Sequence, residues 1–554
     1  MKTTDNKQSL MKGAMILSIG VLASRIIGML YRIPIRNILG DEGQSIYGVA
    51  YGIYVVILTL TAMAIPGALS KLIAERRAAG AYKEAQRVFH LAMLYSIGFA
   101  LVMAAGLWLG ADFISDNFFQ SQDVALPIRA LAPTVVIATS LGVFRGYFQG
   151  RGDMTPTASS QVIEQIVNVI FSVILAAYFM NITAGNLVWG ATGSALGTGA
   201  GAIAGFVVLI FLFFKKRPQA REELVHSTEY DYQSSFTILK QILSMMIPVI
   251  VSASIFSIMT SIDQSMISNI LPQNIEYLRN HQMLNMVPVL DAEIYSTQSI
   301  VSQLSGQLSF QYMTFMNIPV SLILQLGLAS VPAIAAGMAA GAINDVKQKT
   351  KMIFKVGMLI AAPSAIGFLV FAHPILTLVV GDSSGAELLS SGAIGILAIA
   401  IAQLSAGILQ GMTKQNIPTI NALIACAIKV GINLVALRFP TLNIYGFVHS
   451  TTICYVIYAI LNMYYLQKYL KMKMSWNDIL IRPTVCAAVM GIVSFAVYLG
   501  LLWIGLSVKL AIVLVMPLAA VIYFAVGVGS RTITKGDLAS IPGGRKLIKL
   551  LKLS

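Results

Sequence analysis

The feature that most constrains this chain is a succession of long apolar stretches, each close to the roughly 20 residues that cross a bilayer as a helix. Only 11% of its 554 residues are charged and 57% are hydrophobic, whereas a soluble domain carries about a quarter charged residues. A soluble globular protein is therefore excluded, and we predict an all-α polytopic membrane protein. Fourteen spans are predicted, at about 13–39, 45–70, 88–110, 124–149, 157–181, 187–214, 241–268, 306–338, 352–373, 386–411, 417–437, 445–466, 483–505 and 509–527.

The distribution of Lys and Arg predicts the orientation of these spans. Most of the 38 basic residues lie in alternate connections and in the two termini, and the opposite connections hold few. Acidic residues show no such bias, as the positive-inside rule expects. We therefore predict cytoplasmic N- and C-termini, and we attribute the net charge of +15 to topology and attraction to anionic lipid. Nucleic acid is not an expected partner.

Landmarks that recur along the chain indicate an internal duplication. Pro66 near the end of the second span matches Pro332 near the end of the eighth, 266 positions later, and Gly150 and Gly411 close the fourth and tenth spans, 261 positions apart. Two parallel membrane halves with a site between them are typical of transporters, although a scaffold could show the same duplication. The predicted domains are an N-terminal lobe at 1–214, a cytoplasmic linker at 215–240, a C-terminal lobe at 241–466, and two further helices with a basic tail at 467–554.

The sixth span carries a glycine every four residues. Such a ridge of small residues lets another helix approach closely. We therefore predict helix packing along Gly193, Gly197, Gly201 and Gly205.

Three arginines form a basic stripe on the first span. Arg25, Arg32 and Arg36 follow i, i+7 and i+11, which places them on one face of a helix. A charge inside the membrane is costly and marks a functional site by default, and guanidinium groups can bind phosphate oxygens bidentately. The stripe predicts a site for a phosphate or pyrophosphate group. Alternatively, Arg36 lies near the outer end of the span and extends to the interface.

The fifth span presents a polar face to the protein interior. Because an offset of about 261 maps Lys429 near this face, a base and an acid occupy roughly corresponding places in the two halves. We predict that these residues and Arg145 contribute to the headgroup site. The alternative is structural, with Arg145 or another buried base neutralising Glu164. The polar face comprises Gln161, Glu164, Gln165 and Asn168.

A third group of polar residues suggests ion coupling. Asp263 lies on a seventh span rich in Ser, Thr and Gln, and together with Asn421 and with Thr451 or Thr452 it could bind a coupling cation. The alternative is that Asp263 pairs with Lys429. No cofactor is expected. Because no ATP-binding motif is found, we expect any transport to run on an Na⁺ or H⁺ gradient, the membrane potential or the substrate's own gradient.

Enzymatic motifs are weak throughout the chain. The five histidines are scattered, and the sequence contains no metalloprotease, nucleophile-elbow or Walker motif. The three cysteines, far apart in predicted spans, show no spacing typical of a metal site or a disulfide framework. A metal site or an enzymatic centre is therefore not predicted.

Three neighbouring segments resemble the signature of the SpoVB/YtgP polysaccharide-transporter branch of the multidrug/oligosaccharidyl-lipid/polysaccharide (MOP) exporter superfamily. They are Phe144–Gly150, Met154–Ala158 and Ser160–Gln165. Ser24–Gly28 and Pro66–Glu75 extend the resemblance, which covers essentially the whole chain. It implies two six-helix lobes around a central cavity, followed by two C-terminal helices.

Within the superfamily, the chain is most similar to the MurJ-type lipid II flippases, and Arg25 and Arg32 match the arginines of their first helix. The resemblance implies a lipid-linked oligosaccharide flippase of the bacterial cytoplasmic membrane, with lipid II as the expected substrate and a role in peptidoglycan synthesis and cell shape. The implied partners are an undecaprenyl-pyrophosphate-linked saccharide and the bilayer, with cell-wall synthesis proteins as further candidates. Alternatives are export of another polysaccharide or lipid-linked glycan, drug/cation antiport, and a membrane-embedded transferase.

Overall fold

The computed structural model describes residues 20, 23–24, 27–28, 31–119, 122–228, 233–289, 292–339 and 341–533, and all regular secondary structure in these ranges is helical. Ten of these helices are long and apolar enough to cross a membrane, or eleven if Ala386–Gly392 and Gly395–Gly411, bent by 53°, form one span. The predicted all-α polytopic fold is confirmed, and the helices are consistent with fourteen spans.

The first part of the chain forms ten α-helices, with a π-helical turn at Thr59–Met63. They are α1 (Arg32–Leu58), α2 (Ile65–Ala78), α3 (Tyr82–Leu109), α4 (Ala111–Phe118), α5 (Ala125–Gly150), α6 (Thr155–Ile182), α7 (Leu187–Lys215), α8 (Arg217–Val225), α9 (Ser235–Asn280) and α10 (Thr297–Gly306).

A second π-helical turn at Gln307–Tyr312 precedes the remaining eight. They are α11 (Met313–Ala339), α12 (Ile343–Val379), α13 (Ala386–Gly392), α14 (Gly395–Gly411), α15 (Asn416–Ala436), α16 (Tyr445–Leu470), α17 (Arg482–Trp503) and α18 (Val508–Gly529).

The boundary between the first two predicted spans lies at a single glycine. Gly40 within α1 has φ 64° and ψ −176°, a conformation outside the helical region. Residues with a side chain rarely adopt such a positive φ, whereas glycine does so readily. The helix axis therefore breaks at Gly40, between the predicted spans at 13–39 and 45–70.

The chain divides into two compact units. The first unit comprises Met1–Pro272 and Val301–Gly306, and the second comprises Gln273–Ile300 and Gln307–Ser554. Most of α9 therefore groups with the first unit, although the duplication assigns the span at 241–268 to the C-terminal lobe. The reason is packing, because Ile238, Ile242 and Met246 of α9 are buried in a core shared with α2, α3, α5 and α7.

Glycine contacts inside each unit reveal the duplication and correct its register. A Cβ at Gly150 would lie 2.7 Å from the Cβ of Ile73, and one at Gly411 would lie 2.9 Å from the Cβ of Ile334. The two glycines are 261 positions apart, and so are the two isoleucines. By the same offset Pro66 corresponds to Gly327, so the match of Pro66 with Pro332 was wrong by five residues. It followed local similarity near the helix ends rather than packing.

The predicted glycine ridge packs against α6. A Cβ at Gly193 would lie 2.6 Å from the carbonyl of Leu175, and one at Gly197 would lie 2.3 Å from the backbone of Ser172. These distances leave no room for a side chain. The packing role predicted for the ridge is confirmed.

The linker helix α8 is held on the first unit by charge. Arg77 donates hydrogen bonds of 2.7 and 2.8 Å to the two carboxylate oxygens of Glu223, and Arg151 pairs with the same carboxylate at 2.9 Å. The hydrogen bond from Arg77 lowers the pKa of Glu223 below its ordinary value, an effect that burial opposes and Arg151 reinforces. This cluster, named the Glu223 clamp below, fixes part of the predicted linker.

Candidate functional site

An ion pair between α5 and α6 forms the centre of the candidate site. Arg145 donates a 2.5 Å hydrogen bond from Nη2 to Oε2 of Glu164, and its Nε donates to the Ser160 hydroxyl at 3.1 Å. The side chains of Arg145 and Glu164 are 15% and 30% exposed, so both charges remain partly accessible. Pairing offsets the cost of placing each charge inside a span.

The local sequence explains why this face can be polar. Pro156 lies at the start of α6, where its missing N–H costs no hydrogen bond, and an uninterrupted helix then repeats polar residues at i, i+3, i+4 and i+7. Asn168 accepts a 2.8 Å hydrogen bond from the Ser172 hydroxyl. The side chains of the face are thus positioned by a rigid helix rather than by a loop.

Close helix packing surrounds the ion pair. A Cβ at Gly205 of α7 would lie 3.1 Å from the Cβ of Glu164, and one at Gly28 would lie 2.9 Å from Nε2 of Gln165. The Oε1 atom of Gln161 is buried and makes no hydrogen bond within the described residues. Arg145 thus contacts Glu164 and Ser160, and Gln161 and Gln165 lie on the same helix α6. Their role in a headgroup site stays a prediction.

The basic stripe of the first span is only partly described. Arg25 lies outside the described residues, and for Arg32, the first residue of α1, only the helical backbone is described. Arg36 bonds both carboxylate oxygens of Asp41, at 2.6 and 3.3 Å. Sequence spacing missed this partner, because a five-residue separation joins two side chains here only through the break at Gly40.

The remaining predicted residues are distributed over both units. Asp263 is 2% exposed on α9 in the first unit, whereas Asn421 and Lys429 lie on the buried face of α15 in the second unit. Thr451 and Thr452 donate hydrogen bonds to the carbonyls of their own helix, at 2.7 and 3.2 Å. The proposed ion-coupling residues therefore stay a prediction.

Asn421 has a partner that sequence analysis missed. Its Nδ2 donates a 2.9 Å hydrogen bond to Oδ1 of Asn462, and both residues are at most 2% exposed. The signal for Asn462 was weak, since a single amide in an apolar span reveals no partner. Within the described ranges, no group of three or more His, Cys, Asp or Glu residues could hold a metal ion.

Two solved structures share the fold. Lipid II flippase MurJ in an inward closed conformation aligns with a TM-score of 0.64 and 14% identity, over 93% of this chain and 99% of that chain. An inward-facing multidrug resistance MATE family transporter of the MOP superfamily aligns with a TM-score of 0.60 and 15% identity, over 82% and 98%. This likeness shows the fold alone, and the long apolar helices make the chain a multi-pass membrane protein.

The chain belongs to the polysaccharide biosynthesis protein family, whose model matches residues 10–338, more than half of its length. It is 25% identical to stage V sporulation protein B of Bacillus subtilis (strain 168), over 98% of this chain and 100% of the relative. It is 23% identical to lipid II flippase MurJ of the same organism, over 81% and 80%.

Proposed function

We propose that this protein is a flippase that moves a lipid-linked oligosaccharide from the inner to the outer leaflet of the bacterial cytoplasmic membrane. The favoured substrate is lipid II, the undecaprenyl-pyrophosphate-linked peptidoglycan precursor. The observation that carries the proposal is the Arg145–Glu164 pair, a partly accessible charge pair inside spans of a chain with the MOP fold. The relative named as a lipid II flippase supports this class of substrate.

In the proposed mechanism, Arg25 and Arg32 bind the pyrophosphate, because guanidinium groups bind phosphate oxygens bidentately. Arg145, Gln161, Glu164, Gln165 and Lys429 contact the remaining headgroup. Alternating access then carries the headgroup across while the prenyl tail stays in lipid. A ligand shifts such an equilibrium only by its differential affinity for the two states.

The Arg145–Glu164 pair gives the site a hydrogen bond that an arriving headgroup can replace. When a pyrophosphate approaches, the Arg145 guanidinium can exchange one carboxylate hydrogen bond for a phosphate hydrogen bond, and Glu164 then loses a donor. Asp263, with Asn421, Thr451 and Thr452, is proposed to bind the coupling ion, Na⁺ or H⁺. The orientation proposed for the chain keeps both termini in the cytoplasm.

A second candidate substrate is another lipid-linked glycan. The observation that favours it is that the similarity to the sporulation protein extends over 98% of this chain and 100% of the relative, whereas the flippase relative matches 81% and 80%. The membrane chemistry would be the same, since both substrates carry an anionic phosphate linkage. The two candidates differ in the sugar headgroup.

Complementation tests the proposal. A bacterium depleted of its lipid II flippase expresses this chain, and survival is followed together with lipid II exposed on the outer leaflet. We expect rescue by the wild-type chain and by Arg129→Gln, since Arg129 pairs with Asp112 in an exposed contact. We expect loss of rescue with Arg25→Ala and with Arg145→Gln at equal membrane abundance.

The outcomes separate the two substrates. Failure of a well-inserted wild-type chain would reject lipid II and favour the other glycan, which is then tested with extracted lipid-linked precursors. Rescue by Arg25→Ala and Arg145→Gln at wild-type level would show that neither residue belongs to the headgroup site. A labelled lipid precursor whose mass changes would reject transport in favour of an enzyme.

A further inference from the structure

An open apolar groove lies on the second unit and is lined by none of the candidate-site residues. Helices α14 and α16 and the residue Trp476 border it, and its volume is about 580 Å³. This volume falls within the range of roughly 300–1,000 Å³ that small-molecule sites occupy. Its walls include Ile401, Ala459 and Met463. The groove is therefore large enough for a ligand and offers it chiefly hydrocarbon contacts.

The groove has the depth of a single leaflet. Along α16 it extends from Val456 to Lys468, which corresponds to about 18 Å at 1.5 Å per residue. Half of a hydrocarbon core of about 30 Å is about 15 Å. Ile460 and Tyr464 on its border are 62% and 60% exposed. The groove thus matches an acyl chain that begins at one membrane surface and ends near the bilayer centre.

One end of the groove is polar and basic. Lys468 lies there with Gln467 and Trp476, and its Nζ is 5.9 Å from the ring centroid of Tyr464. Asp478 pairs with Arg482 at 2.9 Å, and Lys468 makes no ion pair with any described residue. Lys, Trp and Tyr at the end of a span are typical of the membrane interface. The groove therefore ends in a positive charge at headgroup level.

We propose that this groove binds an anionic glycerophospholipid, with one acyl chain along α16 and the headgroup phosphate at Lys468. The positive-inside rule assigns this end of α16 to the cytoplasmic side, where the leaflet is anionic and attracts basic residues. Charge and depth thus select the same ligand, a phospholipid of the cytoplasmic leaflet. The site is independent of the transported substrate and of the proposed function.

Fluorescence quenching tests the site directly. Trp476 is retained while Trp108, Trp189 and Trp503 are replaced by Phe, and the protein is placed in phosphatidylcholine nanodiscs with a minor fraction of brominated phosphatidylglycerol. We expect quenching of Trp476 about fivefold above that from the same fraction of brominated phosphatidylcholine, the factor that one lysine contributes near an anionic surface. A variant that retains only Trp503, which is 90% exposed, is expected to show equal quenching by both lipids.

Charge removal identifies the residue responsible. Lys468→Gln is expected to abolish the preference of Trp476 for the brominated anionic lipid. Lys414→Gln is the matched control. The Nζ of Lys414 lies 5.3 Å from the ring centroid of Tyr469, a similar contact, and Lys414 does not border the groove. Native mass spectrometry of the unmodified chain is expected to retain phosphatidylglycerol in preference to phosphatidylcholine, and Lys468→Gln is expected to lose that preference.

Two results would overturn the proposal. Equal quenching of Trp476 by the anionic and zwitterionic lipids, with no retention in the mass spectrum, would leave only ordinary lipid contact. Displacement of the bound phospholipid by a substoichiometric polyprenyl phosphate would instead assign the groove to the tail of a prenyl-linked lipid.

Discussion

The helix pairs α6–α7 and α15–α16 occupy the same place in the two copies of the duplication, yet different interactions hold them together. Along α6–α7, glycines admit the backbone of the neighbouring helix, and a Cβ at Gly201 would lie 2.6 Å from the carbonyl of Glu164. Along α15–α16, amide side chains join the helices: Asn421 bonds Asn462, and the Ser450 hydroxyl donates to Asn433. Close packing and side-chain hydrogen bonds are thus alternative solutions for one architecture.

The same comparison shows that the Arg145–Glu164 pair has no counterpart at the equivalent positions of the second unit. An offset of 261 at the end of α5 aligns Arg145 with Ala406. Pro156 and Pro418, near the starts of α6 and α15, are 262 positions apart, and this offset aligns Glu164 with Cys426. Ala406 and Cys426 are each 5% exposed. The second unit therefore carries small uncharged residues at these two positions. The fold does not require charges at these positions, which supports a functional role for the pair in the first unit.

The largest effect is expected where the glycine ridge is closest to α6. Gly197→Val would place side-chain atoms about 2.3 Å from the backbone of Ser172, and backbone cannot yield as a flexible side chain can. We expect the free energy of unfolding to fall by more than about 4 kcal/mol. Detergent gel filtration should then show no folded peak. Gly106→Val, at a span position with nothing within 4 Å, should retain that peak. Equal behaviour of the two variants would contradict the proposed role of close packing.

Exchanging the pair for the residues of the other unit sharpens the comparison. Glu164→Ala leaves Arg145 without its carboxylate and should destabilise the protein by about 3 kcal/mol. The double variant Arg145→Ala with Glu164→Cys should recover to within about 1 kcal/mol of the wild type, while transport stays lost. Thermal unfolding in detergent and the complementation assay measure the two effects. A double variant as unstable as the single one would make the pair structural.

A smaller effect is expected for the amide pair of the second unit. Asn421→Leu removes the hydrogen bond to Asn462 and should destabilise the protein by about 1 kcal/mol, in line with interhelical bonds inside membranes. Thr419→Val on the same helix should have less effect, since Thr419 bonds only the carbonyl of Gln415. Thermal unfolding measures both. Loss of transport at unchanged stability would instead support Asn421 as an ion ligand.

The smallest effect is expected at the Glu223 clamp, which is exposed enough for solvent to screen it. Glu223→Gln should raise the mobility of a spin label on α8, attached through Gln219→Cys, by a few-fold or less. Glu222→Gln, which changes an exposed neighbouring residue, should leave the mobility of the label unchanged. Electron paramagnetic resonance measures the mobility.

The pH dependence of the clamp follows from the lowered pKa of Glu223. Stabilisation by the charged carboxylate is complete above the ordinary glutamate pKa of about 4.3 and is lost as the pH falls through the lower folded-state pKa. The wild-type label should therefore stay immobile from neutral pH down to about pH 5 and become mobile only in stronger acid. Mobility that rises near neutral pH would contradict the assignment.

Sequence reasoning predicted the helices of this protein well, but it predicted only some of the contacts between them. The predicted spans from the second onward coincide with helices, and the ridge from Gly193 to Gly205 packs as expected. Pairing of Arg145 with Glu164 was foreseen as one alternative, because the polar face of α6 limited the choice of partners. The register of the repeat at Pro66 was wrong, since residues that end a helix need not share a packing position.

The sequence by itself determined the helical membrane class, the duplication and the polar face of α6, because hydropathy and helical periodicity are local properties that neighbouring residues express. Only the tertiary structure decided that Arg36 meets Asp41 across Gly40, that Glu223 is held by Arg77 and Arg151, and that Asn421 meets Asn462. These contacts form only when donor and acceptor approach within about 3 Å. For Glu223 and Asn421 that distance depends on how helices far apart in the chain pack, and for Arg36 it depends on the break at Gly40. No local residue pattern encodes either.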